Sequence, residues 1–436
     1  MIEADHISIS SISGRAAYDS RTGLLAAGPS LHRIASERGY LNFSTYFQGS
    51  DRNYGDVLAC AGFSNGDEDG FVVVLQPQES GSAPQLCWFG ADGNESSEDP
   101  VALMPIERFT SILGLTVAPE GNFAVVVGSD GEPSVYARGE SQAMNPPPPW
   151  LPKRPSPSPV LACSFSAKKS GNSSSGGHWT ALGALSGALC LACSTTAGAE
   201  VKTLTTQFDG PISSVLLHSN SGCSTASHVV VGGAQGWVAI VRLPGDVATA
   251  NSTGSSESPV LSDGGYNTSA SQEPTVELLH RDLGAAVTAL TLHDVQLDGR
   301  LEVVAGTASG RIVALDCGSA LSNEPPAPEK ESNTSHIDSS AGSEDQRRTN
   351  VSPHYPTTAS IVWQRDTLQP VLGLSSLGCS PSHGLPELIV LTADGASLYA
   401  PVPSVVAKKV ATVAELAKRL TALRREAKKQ IDGART

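Results

Sequence analysis

The apolar residues of this chain come in short runs of four to seven, divided by glycine-centred turns, with polar bends between pairs of runs. The stretch "VTALTLHDVQLDGRLEVVAGTASGRIVAL", Val287 to Leu315, shows the unit. An apolar run ends near His293, a turn follows at Asp298-Gly299, and then come a strand, a Gly-containing turn and a further strand, the grammar of a β-meander. The same grammar recurs over Ser111–Ala137, Ser158–Ala192, Gly210–Arg242 and Gln369–Ala400. "GDVLACAGFSNGDEDGFVVVL", Gly55 to Leu75, is a sixth copy whose first strand is sought in the preceding "LNFSTYF". "ISISSISGRAAYDSRTGLLAAG" near the N-terminus reads as a seventh, degenerate copy.

The clearest units begin near Ile112, Val160, Ile212, Val287 and Val371. The first gaps are about 48 and 52 residues, the later ones about 75 and 84, and the later two fall to about 45 once a low-complexity insert is removed from each. That is the period of a four-stranded propeller blade. The pattern therefore predicts an all-β chain, a β-propeller of six to seven blades of the FG-GAP/WD40-like kind, over residues 1–403. The inserts, near 245–273 and 318–357, are rich in Ser, Thr, Asn, Pro and Glu; lacking apolar residues to offset ordering entropy, they are expected to be disordered loops. "NPPPPWLPKRPSPSP", Asn145 to Pro159, reads as a stiff spacer, with an SH3- or WW-domain ligand as the alternative.

The tail breaks the pattern. In "SVVAKKVATVAELAKRLTALRREAKKQIDGART", residues 404–436, Val413, Leu416, Leu420, Leu423 and Ala427 recur in steps of three and four, which predicts a basic amphipathic helix. Its nine Lys and Arg residues against Glu415, Glu426 and Asp432 give the tail about +6, while the rest of the chain carries about −20. The reading is a partner-docking helix with Leu416, Leu420 and Leu423 as anchors and Arg424 and Arg425 among the steering charges. Packing on its own propeller and binding to anionic lipid are the alternatives, the second weakened by a stripe without Trp or Phe.

Composition narrows the function. The net charge of −14 disfavours a broad nucleic-acid surface, and the 43 Gly and 29 Pro fit a chain of many turns. The start "MIEADHISISSISG" has neither the basic nor the apolar part of a signal peptide, and no run of about 18 apolar residues occurs, so a cytoplasmic protein is expected. Eight scattered cysteines make no disulfide framework. The one C-x-x-C, Cys190 and Cys193, falls in a strand, where period two sends the two thiols to opposite faces. No nucleophile elbow, zinc-protease motif, phosphate loop or dinucleotide fingerprint appears, so neither an enzyme nor a cofactor is expected.

One loop resembles a cation site. Asp294, Asp298 and Glu302, with Gln296 between them, follow the spacing of the calcium loops found in integrin-like propellers. Gln replaces the central ligand, and the final unit, "SLGCSPSHGLPE", has no Asp; the loop is therefore read as a plain Asp-Gly turn, with calcium as the weaker alternative.

Several pieces together resemble the kaptin family, propeller-type subunits of the KICSTOR complex. They are "DGPISSVLL" (Asp209 to Leu217), "DVQLDGRLEVVAGT" (Asp294 to Thr307), "IVWQR" (Ile361 to Arg365), "LPELIVLTADG" (Leu385 to Gly395) and the basic C-terminal helix. Their order and approximate spacing agree from about Tyr40 to Lys429, whereas the first forty residues match poorly and the long inserts depart from the family pattern. The resemblance implies a non-catalytic scaffold linking nutrient supply to the TOR growth kinase at the lysosome or vacuole. It implies as partners a second FG-GAP-type propeller, a very large scaffold chain and actin filaments. A propeller subunit of a trafficking coat or ciliary complex is the alternative, because fold analogy alone does not separate the two.

Overall fold

The computed structural model describes residues 1–8, 16–19, 23–27, 30–37, 40–48, 54–64, 69–79, 81–90, 101–103, 106–109, 111–118, 121–148, 150–152, 158–165, 178–194, 201–218, 228–243, 275–317, 321, 359–377 and 385–433. The described strands form seven antiparallel sheets arranged as the blades of a propeller. In chain order the innermost strands are Ala16–Asp19, Tyr54–Ser64, Ile112–Val117, Val160–Phe165, Ile212–His218, Val287–His293 and Val371–Leu377, and we number the blades 1 to 7 accordingly. The five starts read from the sequence coincide with the first residues of the last five of these strands.

Two expectations need correction. The seventh copy expected near the N-terminus is present, but it is complete rather than degenerate: residues Ala16 to Gln48 form a four-stranded blade. In blade 2, Tyr54–Ser64 is itself the innermost strand, and "LNFSTYF" lies in the outer strand of blade 1. The ring closes through Ile2–Ser8, which pairs antiparallel with Gly395–Ala400 and supplies the outer strand of blade 7. A side-chain clasp reinforces the closure: the Asp5 carboxylate accepts the Leu41 N–H of blade 1 at 2.8 Å. The expected insert 245–273 lies outside the described residues, as does nearly all of 318–357. Leu321, assigned to the second insert, is buried in the core between blades 5 and 6.

That core is one of seven among the described residues. Each apolar cluster sits between two adjacent blades rather than at a common centre. In "LLAA" of blade 1, Leu24 and Ala26 face blade 2 while Leu25 and Ala27 face blade 7. In blade 6, Val303 and Ala305 face blade 5 and Val304 faces blade 7. Successive strand residues point to opposite faces, so a strand between two blades is apolar on both faces through its middle; this is why the second strands carry unbroken runs such as Val229–Val231 and Leu388–Leu391, with the buried polar residues of these two strands only at their ends, His228 and Glu387 among them.

Polar contacts also bridge neighbouring blades. The first turn of the innermost strand carries a register shift in blades 3 to 7. At that position the Ser213 hydroxyl donates to the Val287 carbonyl of blade 6 at 2.7 Å, and the Thr288 hydroxyl donates to the Val371 carbonyl of blade 7 at 2.5 Å. Blade 3 has three strands among the described residues. Along its outer strand the Met144 N–H donates to the Val135 carbonyl, Trp150 packs on Phe123, and Leu151 enters the core shared with blade 4. Part of the expected spacer is therefore tied into the fold.

Candidate interaction surfaces and the acidic loop

The seven innermost strands line a central cavity of about 200 Å³. Thr116, Ser164, Ser214 and Thr288 contribute hydroxyls, and Asp19 is the single carboxylate among the lining residues. Its Oδ2 accepts the Gly62 N–H at 2.7 Å, a contact from blade 1 to blade 2, so this carboxylate joins strands. Cys60, also on the lining, is buried with its pKa pushed up mainly by burial and then by Asp19, which keeps it a thiol. Cys190 is buried, its pKa raised by burial, and lies opposite Thr205, while Cys193 lies opposite Lys202. The side chain of Cys193 is outside the described residues.

The acidic loop joins the first two strands of blade 6. Carboxylate oxygens of Asp294, Asp298 and Glu302 lie within 4.8 Å of one another, so the structure does gather the three candidates. Backbone donors hold them there. Asp294 accepts the N–H groups of Asp298 at 3.0 Å and Gly299 at 2.9 Å, and Asp298 accepts that of Arg300 at 2.9 Å. Buried Glu302 accepts the Val295 N–H at 2.7 Å and the Gln296 side-chain amide at 3.1 Å. Gln296, standing at the central ligand position, is thus directed onto Glu302. Burial raises the pKa of Glu302, its two N–H bonds oppose the rise, and Asp294 and Asp298 add to it. Leu297 takes φ 56° to turn the chain around the cluster. The loop is closed by its own hydrogen bonds, as an Asp-Gly turn is.

The C-terminal helix spans Pro403–Gly433, one residue earlier than the expected start. Proline suits the first helical position, where its missing N–H has no intrahelical acceptor. At 1.5 Å per residue the helix is about 46 Å long. Val413 is 64% exposed, Leu416 57%, Leu420 51% and Leu423 62%, so the apolar stripe is not packed on the propeller. Arg419, Arg424 and Arg425 are exposed beside it. No helix among the described residues is long and apolar enough to cross a membrane. The five candidate partner-binding residues lie on the helix; of the three cation candidates Asp294 and Asp298 lie in the blade 6 loop and Glu302 opens the strand that follows it.

No family model matches the chain, and no curated protein matches its sequence. Solved propellers do. The β-propeller domain of Cps50 (Swd1) from Myceliophteria thermophila is 11% identical and aligns over 91% of this chain and 98% of that one, with a TM-score of 0.51. Chaetomium thermophilum Sqt1, solved bound to the N-terminus of ribosomal protein L10, is 10% identical over 87% of this chain and 81% of that one, with a TM-score of 0.47. BBS1N in complex with ARL6DN is 10% identical over 93% of this chain and 99% of that one, with a TM-score of 0.46. At such identities the likeness to the Cps50 domain is one of fold, and what it establishes is that this chain is a β-propeller, here of seven blades with one C-terminal helix.

Proposed function

We propose that this chain is a non-catalytic scaffold subunit of the kind kaptin-family propellers form in KICSTOR, acting in nutrient-dependent TOR signalling at the lysosome or vacuole surface. The observation that carries the reading is the collinear series of resembling segments and where it falls. "DGPISSVLL" includes most of the innermost strand of blade 5, and "DVQLDGRLEVVAGT" is the acidic loop and second strand of blade 6. "IVWQR" lies in the outer strand of blade 6, "LPELIVLTADG" is the second strand of blade 7 with its turn, and the helix follows. The series therefore occupies one contiguous sector of the ring and the element leaving it. An exposed basic helix beside a rigid ring suits a protein whose work is to hold others.

Affinity purification of the tagged full-length chain, followed by mass spectrometry, tests this. Recovery of a second FG-GAP-type propeller with a very large scaffold chain supports the proposal. Recovery of coat or ciliary subunits in their place refutes it and favours the alternative. Co-sedimentation with filamentous actin tests the actin association separately.

A further inference from the structure

The C-terminal helix has a register as well as a stripe. Val413 and Leu420 fall at a positions and Leu416 and Leu423 at d positions of successive heptads, with Ala427 at the next a. All four larger side chains are more than half exposed, and in a long exposed helix such a seam is the geometry of a coiled coil lacking its second strand. The flanking positions say which strand it lacks. In this register Arg419 is a g residue and Arg424 the following e residue, both exposed; of the other flanking residues Ala417 (e) is neutral, and Glu426 (g) is acidic and faces a position beyond residue 427. In a parallel two-stranded coiled coil each g residue faces the next e residue of the other helix. A parallel pair of these tails therefore sets Arg419 against Arg424 of the other copy twice, two like-charge contacts that oppose self-association. A helix with carboxylates at those positions turns both contacts into Arg–carboxylate pairs, which are charge-assisted and directional. Lys418, Arg425 and Lys428 on the outer face extend the same positive field, which steers an acidic partner and repels a basic one.

We propose that the helix over residues 413–427 is one half of a parallel heteromeric coiled coil, and that its partner is an acidic amphipathic helix with Leu-type residues at a and d and Glu or Asp at the e and g positions that face Arg419 and Arg424. The inference deepens the scaffold reading by naming the chemistry of what docks on the tail. It is tested without the KICSTOR-like subunits, so that the two can fail separately.

The probe is a synthetic three-heptad peptide with Leu at a and d and Glu at e and g, titrated by fluorescence anisotropy onto the full-length protein. The same peptide with Lys at e and g serves as control. The Glu peptide is expected to bind at least tenfold more tightly than the Lys peptide and to weaken as salt is raised. Leu416→Asp with Leu420→Asp abolishes binding while far-UV circular dichroism of the propeller is unchanged. Arg419→Glu with Arg424→Glu reverses the preference to the Lys peptide, a result that a merely sticky or misfolded tail does not give. Equal binding of the two peptides, or of neither, overturns the proposal. So does sedimentation of the unmixed protein as a dimer that the double Leu variant dissociates, which makes a second copy the partner. Binding to anionic phosphatidylserine vesicles, lost in the double Leu variant, with no discrimination between the peptides, makes the surface a lipid-binding one and also overturns it.

Discussion

Gly299 and Gly310 differ in one respect that a pair of substitutions can measure. Both hold positive φ, 82° and 88°, so alanine at either meets the left-handed penalty of roughly 1–2 kcal/mol. Around Gly299 nothing lies within 4 Å of an added Cβ. At Gly310 the Cβ meets the Thr367 carbonyl oxygen at 2.5 Å, that of Gln369 at 2.7 Å and the Thr367 hydroxyl at 2.8 Å. Those atoms belong to the link from blade 6 to blade 7, held down because the Gly310 carbonyl accepts the Thr367 N–H at 2.8 Å and its hydroxyl at 2.7 Å. The link must move, and with it go two hydrogen bonds worth about 1 kcal/mol each. Gly299→Ala is therefore expected to cost about 1 kcal/mol and Gly310→Ala about 3–4 kcal/mol. Urea unfolding at neutral pH reads the difference as a lower midpoint at similar slope for Gly310→Ala. Native-state amide exchange should show faster exchange over residues 359–377 in that variant alone. Equal losses at the two positions would refute the close-packing argument and leave backbone conformation as the whole effect.

The other predictions concern titration, metal, closure and the tail. Burial and then the N-terminal charge lower the pKa of His293 to about 4, below its ordinary 6.5, so the neutral ring stabilises the fold above pH 6.5 and that contribution is lost as pH falls towards 4. At about 1.4 kcal/mol per unit the loss approaches 3 kcal/mol, and His293→Gln should flatten the fall in urea midpoint between those pH values; an unchanged slope refutes it. Calcium at a few millimolar should leave the melting temperature where it was, since the blade 6 loop closes on its own N–H groups; a rise removed by Asp298→Ala means a native-state ion site. Asp5→Ala removes the acceptor of Leu41 N–H and should cost about 1–3 kcal/mol by urea unfolding, most of it from the stranded donor; a neutral result means that strand pairing alone closes the ring. Leu416→Asp with Leu420→Asp, both on an exposed face, should alter the unfolding free energy by less than about 0.5 kcal/mol; a larger loss places the helix in the folded core.

The repeat was legible because each blade needs a strand that is apolar on both faces, and such strands stand out against a Gly- and Ser-rich chain. Val229, Val230 and Val231 face blades 4, 6 and 4 in turn, so that no polar residue fits among them. Blade 1 was hard to read because its second strand is the four-residue "LLAA", too short to announce itself, and because Tyr40, Asn42, Ser44 and Thr45 of its outermost strand are exposed. The closing strand was illegible for a related reason. Ile2–Ser8 is largely exposed, and what fixes it is main-chain pairing with Gly395–Ala400, to which side-chain pattern contributes little.

The candidate residues divide along the same line. Asp294, Asp298 and Glu302 are close in sequence, so a single turn brings them together, and spacing alone sufficed to group them. Spacing could not say how the loop is held: the backbone N–H groups of Val295, Asp298, Gly299 and Arg300 donate to these carboxylates, and the calcium titration is what decides whether an ion joins them. The helix is the opposite case. Its stripe was plain from the steps between Val413 and Leu423, yet a stripe of that kind belongs equally to a helix packed on its own domain and to one awaiting a partner. In the structure that stripe is open: Val413, Leu416, Leu420 and Leu423 are all more than half exposed, so apolar surface whose burial is worth roughly 25 cal/mol per Å² is left in water. On the coiled-coil proposal this open surface is what the acidic partner helix covers, with Arg419 and Arg424 setting the sign of the charge it must carry.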